Sequence, residues 1–200
     1  MTYGNEKFLA NPKFASRQGE DGLTLFTSPV RIGDKSRLVE PTTSQFNNKM
    51  IYMANLEVFK NDEALIDNIE QVIKNAYESD EVFFTDKDCN AVQIEKINTP
   101  KKENDDAMFA YSLSVTSKEE PEIIDINGKD LREQGITTVD GAIAIASLLF
   151  KPYHVHEQHG VSVKIHNLVI LENDKNWGMG SNNKRTTAKE DFAYLFSGND

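Results

Sequence analysis

The sequence has little of several features that define common classes of protein. It contains one cysteine, Cys89, among 200 residues, so it can form no internal disulfide and no zinc site with several cysteine ligands. No run approaches the roughly 18 apolar residues of a membrane-spanning helix, and the first residues lack the apolar core of a signal peptide. We therefore interpret Cys89 as an ordinary reduced thiol and expect a protein that stays in the cytoplasm.

Basic residues are also few. The chain has 22 lysines and arginines against 32 acidic residues, which gives a net charge of −10. Such a balance argues at first against nucleic acid as a partner, because binding to phosphates needs a basic surface. The acidic residues, however, crowd the segments 60–81 and 119–125. The sequence is therefore compatible with an acidic protein that carries a separate basic face.

Motifs for catalysis are scarce. Gly178-Met179-Gly180 lacks the lysine of a nucleotide-binding loop, and no Ser-His-Asp or Cys-His set has a supporting spacing. A histidine cluster, His154, His156 and His159 with Glu157, makes a metal site geometrically conceivable, but its spacing differs from the helical zinc motif. We predict a protein that is not an enzyme and has no cofactor and no metal, with a metal-dependent protein as a minor alternative.

Alternation of apolar and polar residues predicts several strands and one helix. The region from Leu149 to Leu171 indicates a hairpin whose one face is apolar, while the other carries Lys164 and His166. Asn61 is the predicted cap of an amphipathic helix that ends near Ser79. The predicted strands lie at 23–32, with Pro29 limiting its pairing, and at 52–58, 109–115, 122–125, 142–153 and 160–172. A turn at Gly33-Asp34 and a loop through Pro41 are predicted to follow the first strand.

Five or six strands with one good helix, and no regular strand-helix alternation, favour a small antiparallel barrel. The strand count and length fit a mainly β fold, a five-stranded antiparallel oligonucleotide-binding (OB) barrel, with a β-sandwich as the alternative. We predict a flexible N-terminal arm over residues 1–21, unless Phe8 and Phe14 anchor it. The barrel domain then spans residues 22–172, and a flexible C-terminal tail spans residues 173–200.

The order of several short segments adds a resemblance. They are Pro29-Val30-Arg31, Leu38-Val39-Glu40-Pro41, Tyr52-Met53-Ala54-Asn55-Leu56 before the acidic helix, Lys151-Pro152-Tyr153, Gly160-Val161-Ser162-Val163 and Ala188-Lys189-Glu190-Asp191-Phe192. In this order and spacing the chain resembles the bacteriophage single-stranded DNA-binding proteins with an OB fold. The resemblance implies a protein that coats and protects single-stranded DNA (ssDNA) in phage replication, recombination and repair, in the host cytoplasm and without sequence specificity.

The resemblance also implies partners. Related proteins form dimers, and their tails recruit replication proteins such as the polymerase and the helicase or primase. In this chain Phe192 and Phe196 are the candidate anchors for such partners, and the alternative is a tail whose aromatic residues are incidental.

Non-specific binding of ssDNA needs cations for phosphates and rings on which bases stack. The candidate stacking residues are Tyr153 and Trp177, whereas Tyr52, Phe109 and Tyr111 lie on the apolar side of their strands and are expected in the core. The candidate phosphate contacts are Arg31, Lys35, Arg37, Lys49, Lys151 and Lys164.

A structural or virion-associated β-domain that binds other proteins is the main alternative to DNA binding. It would share the fold and the acidity. Salt separates the two hypotheses, because DNA binding by lysine and arginine weakens steeply with ionic strength, whereas an apolar protein interface does not.

Overall fold

Five strands close into a barrel. The structure, a computed structural model, describes residues 4–45, 47–79, 98–155, 158–172 and 191–193. The strands are β1 Arg17–Gln18, β2 Thr24–Phe26, β3 Val30–Ile32, β4 Arg37–Thr43, β5 Met50–Phe59, β6 Lys101–Lys102, β7 Phe109–Ser117, β8 Glu122–Asp125, β9 Ile143–Val155 and β10 Gln158–Glu172. The helices are α1 Glu6–Leu9 and α2 Glu63–Glu78, with a 3-10 turn at Pro12–Phe14.

The barrel runs in the order β9-β3-β5-β7-β10, and β10 pairs again with β9. Its neighbours are antiparallel except for β7 and β10, which are parallel. The remaining strands, β1, β2, β4, β6 and β8, extend the sheet at its edges. The predicted mainly β, five-stranded OB fold is thus confirmed, and the closed ring of pairings excludes the β-sandwich.

Period-two patterns fill the interior of the barrel. On β5 the side chains of Ala54, Leu56 and Val58 are buried, whereas the alternate residues Met53 and Asn55 are exposed. The predicted hairpin of the two longest strands, β9 and β10, is confirmed with its register intact from Gln158 onward apart from two irregularities. These strands supply much of the core because almost every inward-facing position is apolar.

The helix α2 packs against the barrel interior. Its five buried residues recur at helical spacing and join the same core cluster as the inward-facing strand residues. The cap is Asp62, not the predicted Asn61: its side chain accepts hydrogen bonds from the backbone of Leu65 at 3.1 Å and from the hydroxyl of Ser28 at 2.5 Å. The cap lies one residue later because the carboxylate of Asp62 reaches both donors.

The first half of the chain differs from expectation in two places. The single strand predicted from Leu23 to Ile32 is two strands, β2 and β3, because the Thr27 hydroxyl accepts from the backbone of Ala146 at 2.9 Å and Pro29 has no N–H to donate. The segment through Pro41, predicted as a loop, is the edge strand β4, where a proline is tolerated.

The N-terminal segment is also anchored, in line with the stated exception to a flexible arm. Strand β1 pairs with β2, and the rings of Phe8 and Phe14 meet edge to face with centroids 5.7 Å apart. Phe8 packs against the cluster of Phe59, Phe109 and Ile143. Among the described residues, no helix has the length and apolar character needed to cross a membrane.

Candidate nucleic-acid interface

The strand register brings side chains from five strands into one row on the outside of the barrel. Met53 on β5 lies opposite Arg37 on β4 and Thr116 on β7. Lys164 on β10 lies opposite Thr116 and also opposite Leu149 on β9. Directly opposed residues share a face of the sheet, and all five are exposed or half-buried. This row, the outer row, spans four strand spacings of about 4.8 Å, or about 19 Å.

The β9–β10 hairpin extends the same face. Lys151 lies opposite Ser162, whose hydroxyl donates to the Lys151 carbonyl at 3.2 Å. Tyr153 lies opposite Gly160, and its ring covers that glycine so closely that an added Cβ would sit 2.5 Å from the ring carbon Cζ and from the hydroxyl. Because Lys164, Ser162 and Gly160 alternate along β10, the structure brings Lys151, Tyr153 and Lys164 together on the outer face.

The loop before β4 is fixed by one carboxylate. Asp140 accepts hydrogen bonds from the backbone N–H groups of Lys35 at 2.8 Å and Ser36 at 2.9 Å, and from the Ser36 hydroxyl at 2.5 Å. Burial of Asp140 raises its pKa, but the hydrogen bonds from Ser36 and Lys35 outweigh it and leave the pKa below the usual value. The charged Asp140 thereby holds the chain in place immediately before Arg37.

A buried arginine holds β4 from the other side. The guanidinium of Arg132 donates to the carbonyls of Leu38 at 2.7 Å and Pro121 at 2.9 Å, and its Nε lies 2.9 Å from a carboxylate oxygen of Glu120. Only 4% of this side chain is exposed, so its charge must be compensated within the protein. Arg132 therefore ties β4 to the segment that precedes β8, and it supports the edge of the outer row.

Two of the predicted phosphate contacts are already paired with acids. Arg31 lies opposite Glu57 and forms ion pairs with Glu57 and with Asp34. Burial lowers the pKa of Arg31, but the hydrogen bond and charge of Glu57 outweigh that effect and raise it. Lys164 meets a more exposed partner, Glu119, at 3.2 Å. Of these two cations, Lys164 is the more accessible to a phosphate, because its ion pair faces solvent.

The other predicted cations are open. Lys35, Arg37, Lys49 and Lys151 are exposed, and within the described part of the chain their side chains form no ion pair. Arg37 and Lys151 lie on the outer face, whereas Lys35 lies in the loop before β4 and Lys49 in the turn between β4 and β5.

Of the three aromatic residues predicted to act in the tail, the structure describes Phe192. Trp177 and Phe196 lie outside the described residues. Phe192 has no exposed surface: its ring meets Phe26 edge to face at 6.0 Å and packs in the cluster of Ile124, Ile145 and Val169. As an anchor for a partner protein, Phe192 would first have to leave this pocket.

The histidines do not form a metal site within the described residues, where no group of three metal-binding side chains occurs. The rings of His154 and His159 stack with centroids 4.1 Å apart, while His156 and Glu157 lie outside the described residues. Near the outer row, burial and then the positive charge of Lys164 lower the pKa of His166.

Sequence reasoning missed Met53 and Thr116. Both are polar-face positions of alternating strands, and Met53 is 40% exposed. The available signal was the alternation of β5 itself, which places Met53 among Asn55 and Glu57 on the outward side. A methionine on a solvent-facing side is the irregularity that marks this surface.

Comparison with known proteins identifies the family. The family model described as "Enterobacter phage Enc34, ssDNA-binding protein" matches residues 25–199. The chain belongs to this family. No curated protein matches the chain.

Solved structures share the fold at low sequence identity. The C-terminally truncated single-stranded DNA-binding protein of bacteriophage Enc34 has a TM-score of 0.64 at 12% identity, covering 82% of this chain and 93% of that chain. The Enc34 protein in complex with ssDNA has a TM-score of 0.62 at 12% identity, covering 84% and 100%. The gp2.5 protein of bacteriophage T7, also a single-stranded DNA-binding protein, has a TM-score of 0.58 at 14% identity, covering 80% and 98%.

Proposed function

We propose that this chain binds ssDNA without sequence specificity along the outer row and the β9–β10 hairpin. The observation that carries the proposal is the row itself, in which register alone sets Arg37 and Lys164 on either side of Met53 and Thr116. Lys151 continues the positive charge along β9. Membership of the Enc34 family and the OB fold support the same reading.

Each group has a chemical role in this proposal. Arg37, Lys151 and Lys164 contact phosphates and release their counterions. Tyr153, whose ring covers Gly160, offers a face for a base at the hairpin end of the surface. Since every base has a π-face and every nucleotide has a phosphate, none of these contacts distinguishes one sequence from another.

Lys164 must exchange partners when DNA binds. In the free protein its ammonium lies 3.2 Å from Glu119, whose side chain is 56% exposed. An exposed ion pair contributes at most about 1 kcal/mol, so a phosphate can replace the carboxylate at little cost. Arg31 differs because it has two acidic partners and is less exposed, and we assign it a structural role.

The biological role follows from this binding. We propose that the protein coats ssDNA in the host cytoplasm during phage replication, recombination and repair, and that it catalyses no reaction. We further propose a homodimer and recruitment of replication proteins through the tail, with Phe196 as the remaining aromatic candidate for a partner contact.

The test is fluorescence anisotropy of a labelled oligo-dT, titrated with protein at several salt concentrations and with duplex as competitor. We expect tight binding that duplex does not displace. A plot of log affinity against log salt has a negative slope, and its magnitude should decrease by about 0.7 in Lys151→Ala and by the same amount in Arg37→Ala. Each phosphate contact on a single strand contributes about that much to the slope.

The matched control is Lys74→Ala. Lys74 is 63% exposed on α2, where it lies 3.8 Å from Glu78, away from the outer row. Its removal changes the net charge by the same amount and should leave the slope unaltered. If Lys74→Ala and Lys151→Ala reduce the magnitude of the salt slope equally, the affinity for oligo-dT depends on net charge alone and not on the position of the lysine. No binding at low salt would overturn the function and favour the protein-binding alternative.

A further inference from the structure

One exposed apolar side chain lies in the middle of the proposed DNA surface. Among the described residues the exposed large hydrophobic side chains are Met50, Met53, Ile126 and Val155. Met53 alone of these lies in the outer row, between Arg37 and Thr116. Isolated apolar residues at a surface need no explanation, but this one lies in a row between Arg37 on one side and Thr116 and Lys164 on the other, on the face that OB folds use for binding.

None of the five residues of the outer row is aromatic. The cross-strand neighbours of Met53 are Arg37 and Thr116, and the next outward positions of β5 are Ile51 and Asn55. Non-specific binding of ssDNA requires surfaces for the flat faces of the bases as well as cations for the phosphates. In the centre of this row the apolar surface is a thioether, which is polarizable and makes favourable contacts with aromatic systems.

We propose that Met53 is a base-contacting residue of the ssDNA site and takes the place that an aromatic ring holds in other single-strand binding surfaces. This proposal rests on the proposed function. In this proposal the DNA strand passes from Arg37 over Met53 to Lys164. Its phosphates contact the two cations, and a base lies against the thioether between them.

The protein supplies its own control in Met50. Met50 and Met53 belong to the same strand and are exposed to 54% and 40%. They are three residues apart, and an odd spacing on a strand places side chains on opposite faces. Met50 lies opposite Thr43, whose hydroxyl donates to its Sδ at 3.6 Å. A reagent that reaches both thioethers thus compares the two faces of β5 in one molecule.

The first experiment is oxidation footprinting of the unaltered protein. Hydrogen peroxide transfers one oxygen atom to a methionine sulfur, which gives the sulfoxide and water. Peptide mass spectrometry then gives the oxidation rate at each methionine with and without saturating oligo-dT. We expect DNA to slow oxidation of Met53 several-fold and to leave the rate at Met50 unchanged.

The second experiment compares Met53→Ser with Met50→Ser by anisotropy. Loss of a thioether contact to an aromatic system lowers affinity about two- to tenfold, and we expect this in Met53→Ser alone. The salt slope should stay as in the unaltered protein because no charge is removed. Met53→Phe should restore the affinity, since a ring can stack on a base in the same place.

The outcomes separate the two proposals. If the unaltered protein fails to bind oligo-dT, the proposed function is wrong. If it binds but DNA leaves the oxidation of Met53 unchanged and Met53→Ser binds as before, the function stands and the role of Met53 is wrong. Equal protection of Met50 and Met53 would also overturn the assignment, because it would place DNA on both faces of β5.

Discussion

Phe192 offers a test of how the last described segment is held. Its side chain has no exposed surface and packs with Phe26, Ile124, Ile145 and Val169 on the outside of the sheet. Asp191 adds a hydrogen bond from the side-chain amide of Asn167 and another, at 3.4 Å, from Arg17 to its backbone carbonyl. Phe192→Ala removes the apolar anchor and leaves these polar contacts in place.

The expected cost follows from burial. Burying a phenylalanine side chain contributes about 1.5–3 kcal/mol, and an edge-to-face ring pair adds about 0.5–1.5 kcal/mol. A fully buried phenylalanine in a rigid core can cost about 3–5 kcal/mol on truncation. A short segment can leave its pocket instead of leaving a cavity, which limits the loss. We therefore expect Phe192→Ala to lower the free energy of unfolding by about 2–4 kcal/mol.

Urea denaturation followed by circular dichroism measures this loss, and a thermal scan should show a Tm lower by about 4–16 °C. The control is Ile126→Ala, whose apolar side chain is 42% exposed and should change stability by no more than about 0.5 kcal/mol. If Phe192→Ala and Ile126→Ala unfold at the same urea concentration, Phe192 is not docked in solution and the argument from burial fails.

Three further predictions concern single side chains. Gly160→Ala should fold with nearly normal stability but bind oligo-dT as weakly as Tyr153→Ala, because the new Cβ displaces the end of the Tyr153 ring; normal affinity in anisotropy would remove Tyr153 from the site. Tyr111→Phe should raise the free energy of unfolding, measured by urea denaturation, by up to about 1 kcal/mol, because the buried hydroxyl of Tyr111 has no hydrogen-bond partner among the described residues. Burial also raises the pKa of Tyr111, so the unfolded chain ionises first above about pH 10 and stability falls there. Because burial raises the pKa of Tyr52 and Tyr77 too, Tyr111→Phe should reduce, but not abolish, the loss of stability between pH 8 and pH 11 in denaturation experiments. Glu119→Gln should increase DNA affinity at low salt in anisotropy, because it frees Lys164, and an unchanged affinity would show that Lys164 does not contact phosphate.

Local patterns predicted much of the fold. The alternation on β5, the helical spacing of the buried residues of α2, and the long β9–β10 hairpin are all visible in the sequence, because each depends on a period that repeats within one element. The split between β2 and β3 is not visible, since it depends on a hydrogen bond from Ala146 to the hydroxyl of Thr27, far away in the chain.

The candidate site is harder to predict because it depends on register between distant strands. Lys164 and Arg37 belong to the same row only because Met53 and Thr116 lie opposite one another between them. The ion pair of Arg31 with Glu57 also depends on the register of two strands. The sequence alone therefore does not distinguish Arg31 from the exposed cations that were predicted to contact phosphates. Phe192 is similar, since only tertiary contacts show that a phenylalanine in a polar segment is buried.

The net charge of −10 and a DNA-binding face are reconciled by where the acids lie. Charges act strongly only within about 8 Å at physiological salt, so a phosphate responds to its immediate neighbours and little to the total. Away from the outer row, acids pair with the cations Arg31, Lys101 and Lys7. On the outer face, Lys164 pairs with the exposed Glu119, whereas Arg37 and Lys151 have no such partner within the described residues. An acidic protein can therefore still present a local positive field to a single strand.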